Sequence, residues 1–268
     1  MSDHPHILLA GCGKMGTALV RGWQKKFPTL DLTIIEPNDI PAFPNSTHLK
    51  SADDLPHGFD PTIVVLAVKP QIMREACDVL NLKLAPGVPI LSIAAGKSLA
   101  QYATIFGLNR PVIRAMPNTP AAIGHGISVM CANAEITPIH RHLATDLLGA
   151  VGVVSWIDDE SLMDAVTAVS GSGPAYVFLL IEELANAGEK AGLPAELAKT
   201  LARQTVIGSA HLAAAEIGIA PATLRENVTS PGGTTEAALK VLMSENGLSK
   251  VLTDAVTAAT KRGKELAR

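Results

Sequence analysis

His6-Ile-Leu-Leu-Ala-Gly-Cys-Gly-Lys-Met-Gly16 is a short apolar run followed at once by a glycine-rich turn, and a helical pattern from Thr17 to Lys26 comes after it. The run has the length and continuous apolarity of a strand buried on both faces. The three glycines meet separate steric needs. Gly11 permits the tight turn, Gly13 lets a pyrophosphate approach the backbone, and Gly16 lets the helix pack close to the strand. A second apolar run from Leu32 to Ile35 and an acid at Glu36, twenty positions past Gly16, complete a βαβ unit of the dinucleotide-binding kind. The candidate cofactor loop is therefore Gly11, Cys12, Gly13, Lys14, Met15 and Gly16.

Working outward, short apolar runs keep alternating with amphipathic segments, as a mostly parallel sheet with crossover helices demands. They are Ile63 to Val68, Pro89 to Ala94, Val112 to Ala115, Ile127 to Cys131 and Val153 to Ile157. Helices are expected between them at Gln71 to Leu80 and at Pro138 to Gly149, where Thr137 caps and Pro138 opens the first turn. After Asp158-Asp159 the strand signals stop and everything to Arg268 reads as helix. The fold class is α/β: a Rossmann-type, mostly parallel sheet domain over residues 1–157, followed by an all-α domain over 158–268. In Tyr176-Val-Phe-Leu-Leu-Ile181 the apolar residues surround the helix, which fits either a subunit interface or the central helix of a monomeric bundle.

The chemistry falls on the loops that leave strand ends, where open α/β sheets bind ligands. Ala67-Val68-Lys69-Pro70 leaves a buried run through a proline and brings backbone near ribose and phosphates. The small residues Ala94, Ala95 and Gly96 let a flat ring or ribose lie against the backbone. Met116-Pro-Asn-Thr-Pro120 presents Asn118, able to hydrogen-bond a carboxamide. Ser170-Gly-Ser-Gly-Pro174 reads as a helix start with room for an anion or amide. Val228-Thr-Ser-Pro-Gly-Gly-Thr-Thr235 reads as a receptor for a small carboxylate, because N–H groups freed by Gly232 and Gly233 run into a helix beginning near Thr235.

Composition narrows the classes further. Of 268 residues 47% are hydrophobic but only 3% aromatic, so the core is built from Ala, Leu, Val and Ile. A formal net charge of -3 gives no electrostatic case for nucleic acid. Cys12, Cys77 and Cys131 are too few and scattered for a disulfide framework or a zinc site, and the eight histidines show no ligand spacing, so no metal is expected. Cys12, near a helix N-terminus, is the one thiol whose pKa could fall. No stretch has the roughly 18 to 20 continuous apolar residues of a membrane span, and Met1-Ser-Asp-His-Pro5 lacks signal-peptide features, so the expected location is the cytoplasm, with no membrane partner.

In order and setting, Gly11-x-Gly-x-Met-Gly16, Ala67-Val-Lys-Pro70, Ala94-Ala-Gly96, Met116-Pro-Asn-Thr-Pro120, Asp164 to Tyr176 and Ser230-Pro-Gly-Gly-Thr-Thr235 resemble pyrroline-5-carboxylate reductase over nearly the whole chain. The resemblance implies reduction of the cyclic imine of 1-pyrroline-5-carboxylate to L-proline, with NADPH or NADH as hydride source. It implies a substrate carboxylate held by Ser170, Ser230, Gly232, Gly233, Thr234 and Thr235, with the Thr235 hydroxyl at the ring nitrogen. It also implies an intertwined homodimer, with active sites shared between subunits, that assembles further to a decamer. One turn departs from the family, whose members often carry Asn-Arg or serines after the second strand, whereas here the chain reads Ile35-Glu-Pro-Asn38. Either Glu36 meets a ribose diol, which favours NADH, or Pro37 turns it outward and Asn38 and Ser51 meet the extra phosphate of NADPH. The rival readings are a reductase of another imine or of a 3-hydroxy acid, and a non-catalytic redox sensor.

Overall fold

Alternation of side chains along a strand means that a parallel sheet with helices on both faces must have apolar residues at every position of its central strands. The computed structural model, which describes residues 5–69 and 71–266, meets that demand in β1 (His6–Ala10) from Ile7 onward and throughout β4 (Ile63–Leu66). Ile7, Leu8, Leu9 and the whole of β4 are fully buried. These two strands lie side by side in an eight-stranded sheet of order β3-β2-β1-β4-β5-β6-β7-β8, completed by β2 (Asp31–Ile35), β3 (Ser46–Leu49), β5 (Ile90–Ser92), β6 (Val112–Met116), β7 (Gly126–Ala132) and β8 (Gly152–Trp156).

Odd and even positions serve different helices. Ile7, Leu9, Ile63 and Val65 face a core shared with α1 (Lys14–Lys26) and α4 (Pro138–Leu148), into which Leu19, Trp23, Leu143 and Leu147 project. Leu8, Val64, Leu66 and Ile90 face the opposite core, filled by Met73, Cys77 and Leu80 of α2 (Met73–Lys83) and by Tyr102 and Phe106 of α3 (Leu99–Phe106). Both tryptophans anchor to α4: the indole N–H of Trp23 donates to the Leu147 carbonyl at 2.9 Å, and that of Trp156 to the Thr145 hydroxyl at 3.0 Å.

Three features differ from the pattern of apolar runs. β3 is an edge strand of sequence Ser-Thr-His-Leu, only half buried, so it shows no apolar run. β7 runs antiparallel to β6, because the loop between them holds a single short helical turn, Thr119–Ile123, too little for a parallel crossover. Helix α1 starts at Lys14, three residues before the expected Thr17, with Gly13 as its N-cap.

The described chain divides into two compact units, one taking the residues up to Ser172 together with those from Ala259 onward, the other Gly173–Ala258. Strand structure ends at Trp156; Met163–Val166 (α5) and a π-turn over Thr167–Gly171 then lead to the second unit. That unit holds α6 (Gly173–Lys190), α7 (Ala195–Ala215), α8 (Pro221–Asn227), α9 (Thr234–Leu242) and most of α10 (Leu248–Leu266). Its buried hydrophobic residues are all alanine, Ala185, Ala198 and Ala202, whereas Phe178, Leu179 and Leu180 are 64%, 55% and 51% exposed. Counted through the π-turn, the helical run Glu160–Lys190 is 31 residues long with a mean hydropathy of 1.3 in its most apolar stretch, enough by length and composition to cross a membrane. Glu182 and Glu183 interrupt that apolar surface, which suits a contact with protein better than one with lipid.

The tightest backbone crossing lies at Gly11, whose φ is +94°; a Cβ there would come within 2.7 Å of the Ala67 carbonyl. Gly11→Ala should therefore cost about 2 kcal/mol or more of stability through strain and overpacking together, read as a lowered thermal unfolding midpoint. An unchanged midpoint would mean that the crossing relaxes freely.

Candidate functional site

The crevice begins where the chain leaves β1. The Gly11 N–H donates to the Ile35 carbonyl at 2.8 Å and the Ala67 N–H to the Ala10 carbonyl at 2.7 Å, so the loops after β1, β2 and β4 are tied edge to edge at the point where strand order reverses. A Cβ on Gly16 would strike the Gly11 carbonyl, which fixes how closely α1 approaches the loop. Gly13 is different: it is exposed, and among the described residues nothing lies within 4 Å of where its Cβ would stand. The start of α1 likewise has no side-chain cap among the described residues. An open glycine in front of uncapped N–H groups and a helix dipole fits a diphosphate.

Lys14 stands exposed at the same turn, with Met15 half buried beside it. Ala67 and Val68 are half buried and Lys69 exposed where the chain leaves β4; Pro70 lies outside the described residues, as do Met1 to His4. Ala94 is buried, its N–H donating to the buried Ser92 hydroxyl at 3.3 Å, while Ala95 is exposed and Gly96 has φ +73°.

Glu36 is turned inward to this loop. One carboxylate oxygen accepts from the Cys12 N–H at 2.9 Å; the other accepts from the Asn38 N–H at 3.2 Å and the Asn38 side-chain amide at 2.7 Å. Partial burial raises its pKa, but those three donors and the His48 ring outweigh it and hold the carboxyl below its usual range. Ser51 caps the turn Ala52–Asp54, its hydroxyl paired with Asp53 and its N–H with Asp54. Nearby, Lys50 is paired with Asp39 at 2.5 Å. The polar residues around the end of β2 are thus engaged with one another, and carboxylates predominate among them.

Asn118 also spends its side chain within the protein. Its Oδ1 accepts from the Ile127 N–H at 2.9 Å and its Nδ2 donates to the Ser170 carbonyl at 3.2 Å. A helix does start within residues 170–174, α6 at Gly173, but Ser170 itself is not its cap. It lies in the π-turn, where the Ser172 N–H reaches the Thr167 carbonyl at 2.8 Å and the Ser170 hydroxyl donates back to the Val166 carbonyl at 3.1 Å.

Sequence reasoning missed an ion pair that braces this region. The buried Arg114 donates to Glu160 at 2.8 Å, and the same Glu160 oxygen accepts from the Leu99 N–H at 2.8 Å. One carboxylate thus joins the middle of β6, the start of α3 and the approach to α5. An arginine inside an otherwise apolar strand was the signal available in the sequence.

In the second unit, Ser230 to Thr235 form a turn into α9, with Gly232 at φ +71° and Gly233 as N-cap. The Gly232 N–H is taken by the Glu236 carboxylate at 2.6 Å and the Gly233 N–H by the Ser230 carbonyl at 3.0 Å. The first intrahelical bond runs from Ala237 to Gly233, so the N–H groups of Thr234 and Thr235 precede it, with no side-chain cap among the described residues. Thr235 is half buried; Ser230 and Thr234 are exposed. An acid three residues past an N-cap, reaching back to the turn, was a second readable signal that sequence reasoning passed over.

A family model described as pyrroline-5-carboxylate reductase dimerisation matches residues 160–266. The chain is 48% identical over 208 residues to a pyrroline-5-carboxylate reductase of Pseudomonas aeruginosa, covering 78% of this chain and 76% of that protein. The structure of a pyrroline-5-carboxylate reductase from Coxiella burnetii superimposes with a TM-score of 0.89 at 32% identity, over 98% of this chain and 99% of that one. Pyrroline carboxylate reductase of Plasmodium falciparum, solved with NADP bound, gives a TM-score of 0.84 at 30% identity over 98% of both chains.

The thiol in the glycine loop is not activated. Burial, with a smaller push from Glu36 and against the Thr17 hydrogen bond, raises the Cys12 pKa instead of lowering it. Burial pushes Cys77 up to about 12 and Cys131 up to about 11. At pH 8 the native protein should therefore react only slowly with a thiol-disulfide reagent and release its three thiols on denaturation; one rapidly titrating native thiol would contradict this.

Proposed function

The chain belongs to the pyrroline-5-carboxylate reductase family and reduces 1-pyrroline-5-carboxylate to L-proline, the last step of proline biosynthesis, with NADPH or NADH; we propose the following division of work among its residues. Residues 1–157 serve as the dinucleotide-binding domain and residues 158–268 as the helical substrate-binding and dimerisation domain. The observation that carries the residue assignment is the open start of α9, where uncapped N–H groups meet two threonine hydroxyls.

The substrate carboxylate rests on the N–H groups of Thr234 and Thr235, drawn by the dipole of α9 and helped by the exposed Ser230 hydroxyl. Gly232 and Gly233 shape that turn, their own N–H groups being engaged by Glu236 and Ser230. Thr235 offers its hydroxyl to the ring nitrogen. A hydroxyl is a weak acid, so Thr235 orients the imine, either already protonated or served by a water, and does not surrender its own proton.

Gly11 to Gly16 cradle the diphosphate, Ala67, Val68, Lys69, Ala94, Ala95 and Gly96 border the crevice, and the nicotinamide supplies the hydride when bound. The inward-turned Glu36 favours NADH: three of its roughly four acceptor positions are filled, leaving one for a ribose hydroxyl. A 2′-phosphate would meet that carboxylate and the acids around Ser51, since Asn38 and Ser51 are already committed. The chain dimerises, and the exposed Phe178, Leu179 and Leu180 of α6 belong to the covered face. Dimers assemble further, up to a decamer, in the cytoplasm and without a membrane partner.

With purified protein and pyrroline-5-carboxylate, nicotinamide absorbance should fall with either cofactor, and kcat/KM should favour NADH by about tenfold or more. An NADPH preference would refute the role given to Glu36; no oxidation at all despite cofactor binding would refute the reductase assignment. Thr235→Ala should lower kcat about a hundredfold while leaving cofactor affinity nearly unchanged, and unaltered steady-state kinetics would remove Thr235 from the mechanism.

A further inference from the structure

We propose that Asn118 is a positioning residue for this reduction, one that acts by holding the helical turn at Ser170 in place and not by touching the nicotinamide carboxamide. The inference rests on the reductase reading above and deepens it.

A helix supplies the carbonyl of residue i with the N–H of residue i+4, and for Ser170 that residue is Pro174, which has none. A proline ring also crowds the carbonyl four residues earlier, so the chain cannot remain a regular α-helix here. The backbone answers with a π-turn over Thr167–Gly171, closed by the Ser172 N–H on the Thr167 carbonyl at 2.8 Å. The Ser170 carbonyl is then served from outside the helix, by the Asn118 Nδ2 at 3.2 Å. Ser170 cannot cap the turn with its own side chain, because its hydroxyl is occupied on the Val166 carbonyl at 3.1 Å.

The other end of the same amide fixes its orientation. The Ile127 N–H needs an acceptor and finds the Asn118 Oδ1 at 2.9 Å, while the Ser170 carbonyl needs a donor. Flipping the amide would set donor against donor and acceptor against acceptor, so only one orientation satisfies both partners. Gly171 also packs beside the same loop: a Cβ there would come within 2.5 Å of the Met116 Cε, the free end of a flexible side chain. Met116 to Asn118 leave β6 at the carboxyl-end side of the sheet, and this pairing fixes Ser170 relative to that edge. Catalysis by orientation is sensitive to displacement on this scale.

The test uses two variants of the full-length protein, each measured against wild type at the same pH. Asn118→Asp keeps the shape and the acceptor for Ile127, but its ionised carboxylate faces the Ser170 carbonyl, whereas its protonated carboxyl can donate there. Its kcat should fall about tenfold near neutral pH and climb back toward wild type on acidification, with cofactor Kd within about threefold throughout. Asn118→Ala should show the loss at every pH, together with faster amide hydrogen exchange at Ile127 and Ser172 in the substrate-free protein. A weakened cofactor Kd in both variants with no recovery on acidification would overturn the proposal in favour of direct contact, and so would wild-type exchange in Asn118→Ala. The exchange readout needs no turnover, so a failure of the reductase reading shows up separately, as a wild-type protein that does not oxidise NAD(P)H.

Discussion

The near-contact between the Gly11 backbone and the Ala67 carbonyl governs the dinucleotide unit. Two parallel strands buried on both faces, from Ile7 in β1 and throughout β4, can stand side by side anywhere in a sheet, but a ligand crevice opens only where their outgoing loops turn to opposite faces. With β1 feeding α1 on one face and β4 leading to α2 on the other, the two loops must separate within a residue or two of the strand ends. A side chain at position 11 would fill that gap and one at position 16 would push α1 off the Gly11 carbonyl. What remains open is Gly13 and the uncapped start of the helix. The space for a diphosphate is therefore a by-product of packing that the sheet requires in any case.

Charge refines what geometry allows. Glu36 is held ionised by donors from the loop it faces, above all the Cys12 N–H, so the carboxylate helps to set the glycine loop as well as to meet a ligand. Asp53 and Asp54 accept from Ser51, the cap of the neighbouring turn. Around the end of β2 the protein thus uses acids as structural parts. At α9 an acid is again a structural part: Glu236 takes the Gly232 N–H and the Ser230 carbonyl the Gly233 N–H, while the N–H groups of Thr234 and Thr235 precede the first intrahelical bond.

The strands that bury both faces were legible because nothing but a continuous apolar run can occupy such a position, and the glycine loop because its three glycines answer separate steric needs. β3 was not legible, since an edge strand of Ser-Thr-His-Leu needs no apolar face. The reversal of β7 depends on loop length and not on its composition. At the site, Gly11 to Gly16 and the start of α9 could be placed from local pattern alone. The engagement of Asn118 could not, because its partners, Ile127 and Ser170, are 9 and 52 residues away and the need for one of them arises from a proline further along. The Ser170-Gly-Ser-Gly-Pro stretch has the composition of a helix start and α6 does begin within it, at Gly173; what its composition does not show is that Ser170 and Gly171 close a π-turn on the helix before it.

The chain has two tryptophans, and both indole N–H groups end on α4, Trp23 from within the core and Trp156 from the last strand, where Arg141 of α4 also lies 4.0 Å over its ring. Emission excited selectively at tryptophan is consequently an optical gauge of one helix seated on one end of one sheet. It reports the surroundings of α4 in the dinucleotide unit; α6 to α9 hold no tryptophan, and their helical content is read instead by circular dichroism.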